Sequence, residues 1–293
     1  MKKLTALTLS ALMIASAVFT SSCSSDSGNS SETKADNTVE SKAEGDITTG
    51  GNTDTVISEE DVAAGYKLSG DTLTIINDSA MKDYEADSNA PWWSKYDVIK
   101  KVVIQDGVTK IGKNAFSASD MELVTISNSV TSIGKFAFSG CKLLTDIKLP
   151  ESLTSIGESA FNECSSLVSV EIPASVTEIG AQAFFKCSGL TSVVISNALK
   201  KIDASTFANC SALTSVVIPD GVTEISLAAF FNCSGLNSIE IPASVTKIGP
   251  ASFQGCTSLA TITFKGTQAQ WEAVEKGNDW DKDAAAYTVN FVA

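Results

Sequence analysis

The chain has 293 residues, with 34 acidic and 21 basic side chains, a net charge of −13 and a pI near 4.5. Every basic residue is lysine, and histidine is absent. Nothing supplies the basic footprint that nucleic-acid backbones require, Ser-His-Asp and Cys-His catalysis are excluded, and no phosphate-cradling G-x-x-x-x-G-K-[ST] loop occurs.

Residues 1–22 read as an export signal. Lys2 and Lys3 precede an apolar stretch from Leu4 to Phe19 that is too short and too rich in Ser and Thr for a membrane span. Thr20-Ser21-Ser22-Cys23 looks like a bacterial lipoprotein cleavage box, with Thr20 in place of the usual Leu. Cys23 is the expected lipidation site, because it is the one cysteine outside the repeat register described below. Several acyl chains on one Cys would hold the protein durably. Residues 23–61 are rich in Ser, Thr, Asn, Asp, Glu and Gly and cannot bury enough surface to order themselves, so a disordered tether is expected. As a flexible coil it would span roughly 35 Å.

Residues 62–103 are assigned to an N-terminal cap and residues 104–264 to a repeat array of about seven coils. Val170-Glu171-Ile172 returns every 23 residues as Val193-Val194-Ile195, Val216-Val217-Ile218, Ile239-Glu240-Ile241 and Ile262-Thr263-Phe264. Backward it reaches Ile147-Lys148-Leu149, then Ile126 and Ile104 in steps of 22. Phenylalanines keep the same period from Phe116 to Phe253, cysteines from Cys141 to Cys256, leucines from Leu144 to Leu259, and isoleucines from Ile111 to Ile248. One supersecondary unit per period, unable to bury its apolar side alone, implies a solenoid with a continuous core. Leu167-x-x-Val170-x-Ile172 alternates as a short strand. Pro173 ends the ladder for want of an N–H. Gly180 is expected to turn the chain with positive φ, and Ala160-Phe161 to lie in a short helical or irregular segment. The solenoid class is therefore short parallel strands with such connecting segments, capped at both ends. Residues 265–293 form the expected C-terminal cap, with a helix from Thr267 as N-cap to Gly277 as stop.

The six column cysteines would have Cα atoms about 5 Å apart when stacked, within disulfide reach. Ser119 at the nearest equivalent position favours small buried thiols instead. No C-x-x-C pair or convergent ligand set suggests a metal, and no cofactor is expected. Glu171 and Glu240 lie about 14 Å apart by strand spacing, too far for paired-carboxylate glycoside cleavage. Catalysis is not expected.

Binding would live on the variable surface. Val194 and Val217 make an apolar step in an otherwise polar strand-face ladder, and Phe185 and Phe231 follow core phenylalanines on the far side. These four are the candidate partner-binding residues. The threonine column from Thr109 to Thr246, broken at Lys200, reads as a β-propensity ladder first. Trp92, Trp93, Trp271 and Trp280 lie outside the array and read as end caps, with stacking on sugars as the alternative.

The order of columns, as in Ile172-Pro173-Ala174-Ser175-Val176-Thr177-Glu178-Ile179-Gly180 and again from Ile241 to Gly249, resembles the leucine-rich repeats of the BspA-like family of bacterial surface proteins. The lead-in Leu73-Thr74-Ile75, Ala90-Pro91-Trp92 and Val103 to Thr109 is similar too, as is the exit from Phe264 to Trp271. The resemblance covers about residues 66 to 293. It implies an adhesin-like scaffold, most simply a monomer, that binds host matrix or other cell-surface proteins. The corresponding location is the cell surface at the outer membrane, reached through the lipid anchor alone. A glycan- or nutrient-capturing envelope lipoprotein is the alternative.

Overall fold

The computed structural model describes residues 64–292. The expected signal segment, the lipidation site Cys23 and the tether lie outside them. Among the described residues no helix is long and apolar enough to cross a membrane.

The chain is a solenoid of short parallel strands. Its first ladder begins with the antiparallel hairpin Tyr66–Ser69 and Thr72–Ile75, then continues in parallel through Lys101–Ile104, Leu123–Ile126, Asp146–Ile147, Ser169–Glu171 and Ser192–Val194. A second strand per coil makes a parallel ladder from Lys110–Ile111 to Glu178–Ile179. In each coil the alternating Val and Ile side chains point into one contiguous core, as at Val170 and Ile172. The segments holding the phenylalanines are irregular turns, not helix.

Those turns have a repeating backbone. Two residues before each phenylalanine and two after it, φ is positive: Ser159 (54°) and Glu163 (59°) flank Phe161, and Gln182 (60°) and Lys186 (58°) flank Phe184. Between them the N–H groups reach the next coil, as in Phe161 N–H to the Ala183 carbonyl at 2.8 Å. The left-handed positions are mostly not glycine, so the stack holds them against an intrinsic cost of about 1–2 kcal/mol each.

The glycines are used differently from the sequence expectation. Gly180 has negative φ and does not supply a left-handed turn. A Cβ at Gly180 would stand 2.5 Å from the Glu158 nitrogen, and one at Gly157 2.7 Å from the Lys135 nitrogen. This column is glycine because adjacent coils touch backbone to backbone there. Two members of the column, Asp203 and Ser226, carry side chains.

At Asp203 the stack has a seam. Both ladders stop between the coil that ends at Val194 and the next, and restart as Ser215–Val217, Ser238–Pro242, Thr261–Lys265, Thr288–Phe291 and as Lys201–Ile202, Glu224–Ile225, Lys247–Ile248, Glu275–Lys276. The coil at fault reads Ser196-Asn197-Ala198-Leu199-Lys200-Lys201-Ile202-Asp203 where the previous one reads Pro173-Ala174-Ser175-Val176-Thr177-Glu178-Ile179-Gly180. The phenylalanine side stays closed, with Phe184 N–H to the Thr206 carbonyl at 2.9 Å and Lys186 N–H to the Ala208 carbonyl at 2.8 Å. Ser196 Oγ donates to the buried Val176 carbonyl at 2.7 Å across the seam. On the strand side Val193 is half-buried where its column mates Val170 and Val216 are buried.

After the array, Thr267 caps the helix Gln268–Ala273 in a capping box with Gln270. The helix ends well before Gly277, because Glu275–Lys276 joins the second ladder and Gly277 takes the close-contact glycine position. Residues 275–291 thus add one more coil, with Asp279 (55°) and Asp283 (58°) repeating the left-handed pair.

Candidate binding surface

What the stack consumes is a large part of the chemistry. The rings from Phe116 to Phe253 stack at 5.2–5.6 Å with interplanar angles of 3–16°, an offset arrangement favourable for aromatic pairs. The cysteines from Cys141 to Cys256 are free and buried. Each thiol donates to a phenylalanine carbonyl of the preceding coil, as Cys187 Sγ to Phe161 O at 3.1 Å. Burial pushes the Cys141, Cys187 and Cys256 thiols up to about 12, and the other three well above the ordinary value of 9.0. These thiols are neutral, unreactive packing groups.

The threonine column is committed in the same way. Thr154 Oγ1 donates to the Thr131 carbonyl at 2.9 Å, and Thr131, Thr177, Thr223 and Thr246 repeat the bond at 3.1–3.4 Å. Three tryptophans finish the core. Trp92 is 1 % exposed, stacks on Phe116 at 5.6 Å and donates Nε1–H to the Ala115 carbonyl. Trp271 is buried against Phe264, and Trp280 stands edge-on to Phe253 at 6.0 Å. Trp93 is exposed. Buried rings such as Trp92 and Trp271 have no free face for a sugar.

What remains for a partner is the outer face of the first ladder and the turns. On the strand face Ser169, Ser192, Ser215 and Ser238 form one outward column, and Glu171, Val194, Val217 and Glu240 the next. Val194 is 59 % and Val217 55 % exposed. They sit on the two strands that border the seam. On the far side Phe185 and Phe231 are half-buried, with Ala208 in the intervening coil buried. The Lys186 ammonium lies 5.4 Å from the Phe185 ring centroid. Beside them runs an open groove of about 480 Å³ lined by Glu163, Lys186, Asn209, Asn232 and a row of serines. The strand valines and the two phenylalanines therefore lie on separate surfaces of the coil.

Sequence reasoning missed a second apolar spot. Leu123 and Leu143 are exposed and line one shallow depression with Glu122 and Thr145. Leu123 breaks the outward serine column and Leu143 a column filled by Ser, Gly or Ala in later coils, so the column logic that found Val194 could have found both. Among the described residues no group of three or more His, Cys, Asp or Glu is placed to hold a metal ion.

The chain matches the BspA type leucine rich repeat region in 6 copies, over residues 93–214 and 177–273. It is similar to a leucine-rich repeat protein from Bacteroides ovatus at 23% identity, with 84% of this chain and 72% of that one covered and a TM-score of 0.58. The T. pallidum leucine rich repeat protein aligns at 28% identity over 75% of this chain and 96% of that one, TM-score 0.55. A leucine rich cell surface protein from Faecalibacterium prausnitzii aligns at 30% identity and TM-score 0.39; the match covers 61% of this chain and spans 63% of that one. Comparison with curated protein sequences gives no significant match. With its 23-residue coils, its stacked columns and this match over more than half its length, the chain belongs to the BspA-type leucine-rich repeat family.

Proposed function

We propose that this protein is a non-enzymatic surface lipoprotein that binds proteins of a host matrix or of another cell through its solenoid. The observation that carries this reading is the division of labour within each coil. Thiols, threonine hydroxyls and aromatic rings are spent on stacking, while the first ladder leaves its outer columns open and varied, with Val194 and Val217 exposed at the centre. Exposed apolar side chains rimmed by polar ones are the usual anchors of protein interfaces. In this reading Cys23 carries the lipid and residues 24–61 hold the solenoid clear of the outer membrane.

The test compares cells with and without the gene, and cells carrying Cys23→Ala, on panels of matrix proteins and partner bacteria. Adhesion that depends on the gene and falls with Cys23→Ala is expected. Equal adhesion of all three strains rules the proposal out.

A second reading, capture of a glycan or nutrient, is favoured by one feature, the polar groove of Glu163, Lys186, Asn209 and Asn232. A glycan array with the intact chain, repeated with Asn209→Ala, tests it. Binding that Asn209→Ala removes would support capture; no binding on the array dismisses it.

A further inference from the structure

We propose that the seam between Ser192–Val194 and Ser215–Val217 is a docking site for an extended segment of a partner protein in which one apolar residue is flanked by two basic ones. The inference deepens the surface-binding reading above and rests on it.

Four residues on successive coils define the site. Val194 is in register with Glu171 on the preceding strand, and Val217 with Glu240 on the following one. Along the stack the outward column therefore reads acid, apolar, apolar, acid. The two valines belong to opposite sides of the break in the ladder, and the half-buried Val193 lies at that break. An apolar side chain placed over the seam would cover all three.

The spacing selects the partner's pattern. Strands stack about 4.8 Å apart, so Glu171 and Glu240 are roughly 14 Å from each other. In an extended chain, residues i and i+4 are about 13.5 Å apart and share a face with i+2. A basic residue at i, an apolar one at i+2 and a basic one at i+4 therefore meet Glu171, the valine pair and Glu240 together. The exposed Ser192 and Ser215 lie beside the path and offer hydroxyls to the segment's backbone.

The neighbouring charges bound the segment. Lys148 occupies the same column one coil before Glu171, and Lys265 pairs with Glu240 at the other end. Asp146 precedes Lys148 on the first outward column. A third basic residue beyond either end would meet a lysine, so the recognised unit is a pair of basic residues and not a long basic run.

The experiment uses the intact chain and fluorescence anisotropy with a labelled peptide containing Lys-Thr-Val-Thr-Lys. Comparison peptides carry Glu in place of both Lys, or the two Lys at i and i+2. Proteins compared are wild type, Val194→Thr with Val217→Thr, Glu171→Gln, and Val168→Thr as a control at an exposed valine off the path. Thermal unfolding of each variant establishes that it is folded. The expected result is binding weakened at least tenfold by the charge-reversed peptide and by the double threonine variant, several-fold by Glu171→Gln and by 0.5 M salt, and unaltered by Val168→Thr. No binding of any peptide overturns the inference, as does binding indifferent to charge or to the valines. Failure here with gene-dependent adhesion intact sinks only this site; loss of both removes the surface-binding reading as well.

Discussion

Replacing six residues of the seam coil with those of the coil before it should close the seam and stabilise the protein. The substitutions are Ser196→Pro, Asn197→Ala, Ala198→Ser, Leu199→Val, Lys200→Thr and Asp203→Gly. The boundary before the seam carries Thr177 N–H to Thr154 O at 3.0 Å, Gly180 N–H to Ile156 O at 2.8 Å and Ile172 N–H to Val194 O at 2.9 Å. The boundary after it carries the same three bonds, from Thr223 to Lys200, Ser226 to Ile202 and Ile218 to Glu240, each at 2.9 Å. Among the described residues, the seam lacks the equivalents from Lys200, Asp203 and Ile195. At about 1 kcal/mol per bond, closure contributes roughly 3 kcal/mol, minus the Ser196 bond to Val176 that the graft removes. Coil stability in a solenoid is a sum of coil and neighbour terms, so a weak boundary lets the two sides open separately. Hydrogen exchange reads this directly. In the wild type the amides of Ile195, Lys200 and Asp203 should exchange on the order of 100-fold faster than those of Ile172, Thr177 and Gly180, which is what 3 kcal/mol implies. In the graft the two sets should converge and denaturant unfolding should shift to higher midpoint. Equal protection in the wild type would refute the reasoning.

Phe184→Ala should cost about 3–5 kcal/mol by emptying a stacked core position, and Phe185→Ala about 1 kcal/mol from partial burial, measured by urea unfolding. Ala118→Gly, at an exposed position with φ of 59°, should stabilise by about 0.5 kcal/mol, because relief of left-handed strain exceeds the added chain entropy. Gly157→Ala should destabilise by more than about 2 kcal/mol, since its Cβ would press on the Gly134–Lys135 backbone at 2.7 Å. The column thiols should make the fold sensitive to alkali. Their folded values lie above the ordinary 9.0, reaching about 12 at Cys141, Cys187 and Cys256. The stabilisation is therefore complete below pH 9 and lost as pH rises toward 12, by about 1.4 kcal/mol per thiol per pH unit. A Cys187→Ala variant should show a shallower loss over that window, and native thiols should resist a thiol reagent until unfolding.

Period and column identity were legible because burial repeats with the coil. Phe161, Cys164, Leu167 and Val170 each recur at 23 residues and each is buried. The seam was not legible, although Ser196 to Asp203 visibly departs from its neighbours. A period records how much chain one turn uses, and that coil still uses 23 residues; it does not record whether adjacent turns bond. Gly180 was misjudged for a related reason. Its need is set by the Glu158 backbone of another coil, which a local turn rule does not see. The last coil carries Trp280 and Asp281 where earlier ones carry Ala and Phe, yet Phe253 N–H still bonds the Trp280 carbonyl. There the preceding coil acts as template, and the backbone follows it without the repeat's letters. For the surface, Val194 and Val217 stood out as breaks in a polar column, whereas Phe185 and Phe231 look alike in sequence but are half-buried.

The central claim is that partners are held by the strand face across Val194 and Val217. The most direct measurement is adhesion, on one panel of matrix proteins and bacteria, of cells bearing wild type, Val194→Thr with Val217→Thr, or Phe185→Ser with Phe231→Ser, at matched surface level. The account predicts that adhesion falls with the valine pair and persists with the phenylalanine pair. Adhesion that survives loss of the valines and fails with the phenylalanines would contradict it and move binding to the opposite side of the coil.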